Sequence, residues 1–247
     1  MTRPRFPGLT ALLLSAALLP GAAHAVANFD GWAALALTLT GINGAQSLPA
    51  DVSIQYATSV DDQHAFSLGR GATATTLESL FPLELADMLF AAPLRQDHTI
   101  SGWAGDGSAD ARLLTSGLIF MTNASNVPVT FNFSYGLDAT VDANADPLGI
   151  QGSVDVTWLL SDIVNLVDYA AAAVKADAVM GPRHDSLNEI RSFNLTLPAK
   201  SDEATTATLA SVLDTSGIAE APEPPVWALL AAGFAVASAG RRRPRRA

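Results

Sequence analysis

Strict alternation of apolar and polar residues between Val129 and Val141 is the sequence feature that most constrains the fold. Every odd position in these thirteen residues is apolar, from Val129 through Phe133 to Val141, and every even position is polar or glycine. A period of two places successive side chains on opposite faces of an extended strand. The segment therefore predicts a long strand, or a bent pair of strands, with one face in the core.

Shorter segments repeat this alternation, and turn-forming residues separate them. The alternating segments are 35–40, 52–56, 154–158 and 193–197, and the turn signals lie at 41–44, 106–107, 123–126 and 147–149. Several strands with turns between them are typical of an antiparallel sandwich. We therefore predict an all-β, antiparallel β-sandwich ectodomain over residues 26–220. Leu113 to Met121 is more continuously apolar, which predicts a strand covered on both faces.

Two segments allow more than one interpretation. Residues 77–91 are compatible with a short helix. Residues 159–180 have apolar residues at helical spacing and an alanine run that favours helix, but the same stretch also reads as consecutive alanine-rich strands. Both interpretations stay open at this point.

The N-terminal segment has the form of an export signal. Arg3 and Arg5 precede an eleven-residue apolar run at 9–19, and Ala23-His24-Ala25 supplies small residues at a cleavage site. This order is that of a secretory signal peptide, and the run is shorter than the ~20 residues that span a bilayer. We predict a signal-peptide helix over residues 1–25 and a protein exported across the inner membrane. Cleavage is predicted between Ala25 and Val26, with a mature start at Asn28 as the second choice.

The C-terminal segment combines three elements in a fixed order. Pro222-Glu223-Pro224 precedes an apolar run at 226–240, and a cluster of arginines follows it. Fifteen residues form a helix of ~22 Å, which is short for a hydrocarbon core of ~30 Å. The run predicts a single transmembrane helix that serves as a transient anchor, with the arginines on the cytoplasmic side.

This arrangement resembles the PEP-CTERM sorting signal of Gram-negative bacteria, over residues 221–247. The matching positions are Pro222, Glu223, Pro224, Trp227, Gly233, Arg241, Arg242 and Arg243. The resemblance implies that an exosortase recognises the box and cuts near it after signal peptidase has removed the leader. It also implies an exported protein of the cell envelope or extracellular matrix, in an exopolysaccharide or biofilm setting.

Charge and composition exclude several function classes. Residues 26–225 contain 24 acidic and seven basic side chains, and so large an excess of acid would repel the phosphates of a nucleic acid. The chain contains no cysteine, which excludes disulfides and thiol catalysis. We therefore expect no nucleic acid among the partners. The partners that the resemblance implies are signal peptidase and the exosortase as processing enzymes, the inner membrane and exopolysaccharide.

Side chains with possible chemistry are few. Asp142, Asn144 and Asp146 alternate like the first ligands of a calcium loop, but Pro147 and Ser153 stand where such a loop has Gly and Glu. We prefer to interpret them as a polar loop after a strand, with no metal or cofactor. His64, His98 and His184 each lie beside an aspartate without a hydrolase or zinc motif, and we place each on a solvated loop.

Three functions fit these patterns. The preferred one is a structural or adhesive role for an exported protein that is not an enzyme. The alternative is a carbohydrate-binding module on the cell surface that uses Trp103 or Tyr56 as a stacking platform. A secreted hydrolase based on the aspartate-rich segments is the least favoured, because acids are present without a paired base and nucleophile.

Overall fold

The computed structural model describes residues 26–69, 71–90, 92–146 and 150–222. The predicted signal peptide, with Ala23 and Ala25, lies outside these residues, and so does the sorting signal from Glu223 onward. The described residues form strands and turns without a helix, so none of them provides a helix that could span a membrane. The strands are β1 (Ala27–Ile42), β2 (Val52–Leu68), β3 (Ala72–Phe81), β4 (Ala86–Asp87), β5 (Leu94–Ala104), β6 (Gly107–Asn123), β7 (Val129–Ala145), β8 (Gln151–Asp162), β9 (Val167–Ala178), β10 (Arg183–Leu197) and β11 (Thr205–Ala221).

The strands form two antiparallel sheets. One sheet has five strands in the order β10-β7-β1-β5-β3, and the other has six in the order β4-β2-β6-β11-β8-β9. The buried faces of the two sheets pack against each other, so that the core lies between them. The prediction of an all-β antiparallel sandwich is confirmed for the described residues.

The alternating segment forms the first thirteen residues of β7, and its odd positions face the core. Phe131 and Phe133 are fully buried, and the ring of Phe133 stacks on Phe193 of β10 at 5.2 Å between centroids. Tyr135 meets Trp158 of the opposite sheet at 4.5 Å between centroids. The even positions of β7 lie on the outer face of the five-stranded sheet.

Three local expectations were settled by the structure. The helix considered for 77–91 is wrong: its described residues, 77–90, form the end of β3, the short β4 and loops, because β3 continues its pairing with β5 to Phe81. The helix considered for 159–180 is also wrong, and the strand interpretation is confirmed by the pairing of β8 with β9. Coverage of 113–121 on both faces is wrong too, because the outward Phe120 is 41% exposed.

The last strand is central, and both ends of the described chain leave the sandwich at the same end. β11 lies between β6 and β8 along its length, and Ala221 pairs with Gly107. The Ile150 N–H donates to the Glu220 carbonyl at 3.1 Å, and the Asp146 N–H donates to the Val26 carbonyl at 2.9 Å. Strand pairing therefore extends up to the residue before Pro222, and every pairing of the described strands lies between residues 27 and 221.

Candidate functional site

Two tryptophans are exposed on the outer face of the five-stranded sheet. Trp32 of β1 is 40% exposed and Trp103 of β5 is 39% exposed. Trp32 pairs with Thr99 and Trp103 pairs with Asn28, so the two indoles lie four residues apart along neighbouring strands. At about 3.3 Å per residue and about 4.8 Å between strands, their Cα atoms are roughly 14 Å apart. We call this outer face the tryptophan face.

Glycines hold the indole of Trp103 in place. A Cβ atom at position 105 would lie 2.5 Å from Cη2 of Trp103, and a Cβ at position 71 would lie 3.1 Å from Cζ3. Gly71 also has a φ of +74°, which side chains other than glycine rarely adopt. The ring thus packs against two backbone segments that only glycine leaves accessible. This packing restricts the indole before any ligand arrives.

Side chains that can form hydrogen bonds lie on the sheet between the two indoles. Asp30 pairs across the sheet with Ser101, and the Ser101 hydroxyl lies 2.8 Å from Oγ1 of Thr75. Asp142 pairs with Asp30 on the other side, and its carboxylate lies 2.7 Å from Nδ1 of His184. Hydroxyl and carboxylate groups therefore lie between two apolar platforms, the combination that ligand sites use for orientation and contact area.

The tryptophan face continues into an open depression at its far end. The depression is lined by Ser79, Phe81, Ala92, Pro93, Arg95 and Asp97. Phe81 is 53% exposed and pairs with Arg95, which in turn pairs with Ala36. Phe81 is thus a further four residues along the sheet from Trp32. Exposed aromatic side chains recur at four-residue intervals over this face.

Burial affects two carboxylates of the tryptophan face. Burial raises the pKa of Asp30 above its usual value, the negative charge of Asp142 raises it further, and the Asn28 side chain offsets part of the increase. Burial also raises the pKa of Asp97, against the opposing effect of Arg95. The charged forms of both groups are therefore disfavoured until a positive group approaches.

A second polar cluster lies inside the core, where the two sheets meet. Its side chains are all buried: Gln96 and His98 of β5, Thr115 of β6, Trp158 of β8, and Ser211 and Thr215 of β11. Nδ1 of His98 lies 3.0 Å from Oγ1 of Thr215, and Nε2 lies 2.8 Å from Oγ1 of Thr115. Burial lowers the pKa of His98 to about 4, against the opposing effect of Asp214. His98 is therefore neutral at neutral pH.

Hydrogen bonds continue from Thr115 through the rest of this cluster. Gln96 Nε2 donates to Oγ1 of Thr115 at 2.9 Å, and its Oε1 accepts from the Ser211 hydroxyl at 2.8 Å. Ser211 in turn accepts from Nε1 of Trp158 at 3.0 Å. Among the described residues no buried side-chain nitrogen or oxygen lacks a partner. The cluster joins the sheets and cannot contact a dissolved substrate, because its members are buried.

The structure separates the residues that the sequence singled out. Tyr56 is 2% exposed, so its prediction as a platform is wrong, because it faces the core with its strand neighbours Ile54 and Thr58. Trp103 is exposed as a platform requires. His98 points into the core and Trp103 points out of it, so these two do not share a pocket.

The placement of the histidines on loops is also wrong, and that of the 142–146 segment is wrong except for Asp146, which follows the last residue of β7. His64, His98 and His184 lie on β2, β5 and β10, and only His98 is buried. Asp142 and Asn144 belong to β7, which continues past the alternating segment to Ala145. Among the described residues, no group of three or more His, Asp or Glu side chains is arranged to hold a metal ion.

Sequence reasoning missed Trp32 and the buried polar cluster, although each left a signal. Trp32 has the outward phase of the alternation in β1, opposite to that of Ala33 and Leu35. Gln96 and His98 have the inward phase of Leu94 and Ile100. A tryptophan in the polar phase indicates a contact surface, and a histidine in the apolar phase indicates a buried hydrogen bond.

No family model matches the chain, and no curated protein matches it. One solved structure with weak similarity is a family 11 carbohydrate-binding module from Clostridium thermocellum in complex with a beta-1,3-1,4-mixed-linked tetrasaccharide. The identity is 9%, the match covers 68% of this chain and 97% of that chain, and the TM-score is 0.12. At this TM-score the likeness carries no argument about function.

Proposed function

We propose that this protein is an exported β-sandwich module of the cell envelope or extracellular matrix that binds an extended polysaccharide on the tryptophan face. The observation that carries the proposal is the presence of Trp32 and Trp103 on one sheet face, both about 40% exposed. Exposed tryptophans cost free energy in water and are enriched where a protein contacts a ligand or partner.

Sugars match this surface chemically. A pyranose ring has a face of C–H groups that stacks on an indole, and its rim of hydroxyls accepts and donates hydrogen bonds. Asp30 and Ser101 lie between the indoles, where they meet such hydroxyls. A spacing of roughly 14 Å between Cα atoms exceeds the width of one sugar ring. The ligand on this surface is therefore an oligosaccharide segment rather than a monosaccharide.

Adhesion to a matrix polysaccharide is the role that this binding serves. The protein is sorted by an exosortase, in line with its resemblance to PEP-CTERM proteins, and the sorted body then remains with the polysaccharide. The position of Pro222, exposed and directly after the last paired residue Ala221, supports a box that is accessible beside a folded body. Val26 lies at the same end of the sandwich, which supports processing of both ends from one membrane.

Binding is tested by titrating the full chain in mild detergent with soluble oligosaccharides of the host exopolysaccharide. Trp32→Ala and Trp103→Ala should each weaken binding at least tenfold. Phe120→Ala is the matched control, because Phe120 is 41% exposed on the outer face of the other sheet. Equal affinities for all three variants and the parent would contradict the proposed binding face.

Sorting is tested separately in the host. Deleting the exosortase should leave an uncut, membrane-associated form, and so should replacement of Glu223 by alanine in the wild-type host. Unchanged processing in the deletion strain would refute sorting by that enzyme while leaving the binding proposal intact.

A further inference from the structure

We propose that the tryptophan face selects polysaccharides whose sugars carry free, protonated amino groups. This inference rests on the proposed function and names the chemistry of its ligand. It follows from the way charges are distributed over the two outer faces of the sandwich.

Carboxylates on the tryptophan face lack sufficient partners of opposite charge. Among the described residues, four aspartates point outward from this sheet: Asp30, Asp97, Asp138 and Asp142. The basic residues on the same described surface are Arg95 and His184, and His184 is 2.7 Å from Asp142. Asp30 lies between the two indoles. Its pairing partner on the neighbouring strand β7 is Asp142, another acid, rather than a basic residue. The face therefore presents a net negative charge at its centre.

The outer face of the six-stranded sheet is different, because its central carboxylates are paired. Arg112 binds Asp214 through two hydrogen bonds, at 2.7 and 3.1 Å, and lies 3.6 Å from Asp62. His64 lies 2.7 Å from Asp110, and Lys175 lies 3.6 Å from Asp155. Those central carboxylates each have a basic partner, whereas Asp30, Asp97 and Asp138 on the tryptophan face form no salt bridge among the described residues.

Aromatic and carboxylate groups together favour a cation. An ammonium group over an indole is attracted by the π electrons, an interaction that is stronger for tryptophan than for other side chains. A carboxylate within a few ångströms adds Coulomb attraction, which salt screens when the groups are exposed. Asp30 lies two residues before Trp32 on β1, and both side chains point outward. Its pairing partner on β5 is Ser101, which lies two residues before Trp103. An amino sugar held on either indole therefore lies beside this carboxylate.

The ligand also relieves an unfavourable arrangement of the free protein. The ionised forms of Asp30 and Asp97 are disfavoured by burial, and Asp142 adds repulsion at Asp30. A neutral glycan would leave these charges unpaired and remove part of their water. A glycan with ammonium groups would neutralise them, so discrimination comes from rejection of the neutral ligand as well as attraction of the charged one.

The test compares two forms of one oligosaccharide with the full chain in mild detergent. The probes are a β-linked glucosamine oligomer and its fully N-acetylated counterpart of the same length, at a pH where the amines are protonated and the carboxylates are ionised. We expect the amino form to bind at least tenfold more tightly and its affinity to fall with added salt. Asp30→Asn should remove most of this preference while retaining binding of the acetylated form. Asp155→Asn, on the opposite face, is the matched control and should leave the preference unchanged.

The outcomes separate the inference from the function on which it rests. Equal binding of both forms, lost from both in Trp32→Ala, would overturn the amino-group preference and keep the polysaccharide face. Binding of neither form would overturn the amino-group inference, and the titration with oligosaccharides of the host exopolysaccharide would then decide separately whether the polysaccharide face stands. An equal loss of preference in Asp30→Asn and Asp155→Asn would overturn the inference, because the overall negative charge of the protein, and not the tryptophan face, would then cause the preference.

Discussion

Nε2 of His98, on the five-stranded sheet, lies 2.8 Å from Oγ1 of Thr115, on the six-stranded sheet. This hydrogen bond belongs to the buried polar cluster that joins the two halves of the sandwich. Because the imidazole is fully buried, its charged form is unfavourable in the folded state. Burial of this residue therefore couples the stability of the sandwich to pH.

The coupling predicts a loss of stability in mild acid. The pKa of His98 falls from 6.5 to about 4 on folding, so the unfolded chain binds more protons between these values. The stability that neutral His98 contributes to the folded state is fully present above pH 6.5 and is lost as the pH falls to about 4. The total loss in free energy of unfolding is about 3 kcal/mol. Chemical unfolding at several pH values measures it.

His98→Gln isolates this contribution from the carboxylates, which titrate in the same range. Glutamine retains hydrogen-bonding groups but does not ionise, so the difference in free energy of unfolding between parent and variant should shrink from pH 7 to pH 4. A constant difference over this range would show that His98 does not titrate as described.

Packing around Phe29 predicts a specific intolerance to added volume. Gly102 and Gly217 lie against the ring of Phe29, and a Cβ at these positions would come within 2.1 Å of Cε1 and 2.3 Å of Cδ2, respectively. Gly217→Ala should therefore destabilise the protein by about 1 to 3 kcal/mol. Gly136→Ala is the control, because the nearest atom to a Cβ there, in Ile190, is 3.8 Å away. Thermal unfolding of both variants measures the difference, and equal melting temperatures would contradict the packing.

The glycines behind Trp103 predict a loss of binding without a loss of fold. Gly105→Ala places a methyl group 2.5 Å from the present position of Cη2, so the indole must rotate away. We expect oligosaccharide affinity to fall severalfold while the melting temperature changes by only a few degrees. Calorimetric titration checks the affinity, and unchanged binding would mean that the ring position does not matter.

The central position of β11 predicts which truncations the body tolerates. A chain that ends after Ala204 lacks the strand between β6 and β8 and leaves the edges of both unpaired, so it should fail to fold. A chain that ends after Pro222 retains every described strand and should keep the melting temperature of the full protein. Circular dichroism of the two truncated chains compares them. A folded chain ending at Ala204 would contradict the strand order.

The alternation in β7 predicted its burial because a single period covers the whole segment. The same reasoning extends to Gln96 and His98, whose inward phase in β5 indicates burial as clearly as that of Leu94. The alanine run in β9 left helix and strand both open because alanine is compatible with both structures, and only the pairing of β9 with β8 decides between them.

The tryptophan face required the sheet order, which local patterns do not contain. Trp32 and Trp103 are 71 positions apart in the chain, and they share a face because β1 pairs with β5 in a particular register. A shift by one residue would send every side chain of one strand to the other face. The alternation within each strand indicates that its indole points away from the core. It does not indicate that the two indoles lie on the same face of one sheet.

If Trp32 and Trp103 together form the polysaccharide-binding surface, as we propose, the indole N–H signals of the body report it directly. A chain of residues 26–222 contains three tryptophans, and the third, Trp158, donates its indole N–H to Ser211 inside the core. In a nitrogen-15 NMR titration with the glucosamine oligomer, the signals of Trp32 and Trp103 should shift together with one dissociation constant while that of Trp158 stays in place. Absence of shifts at Trp32 and Trp103, or a shift at Trp158 alone, would contradict binding on the tryptophan face.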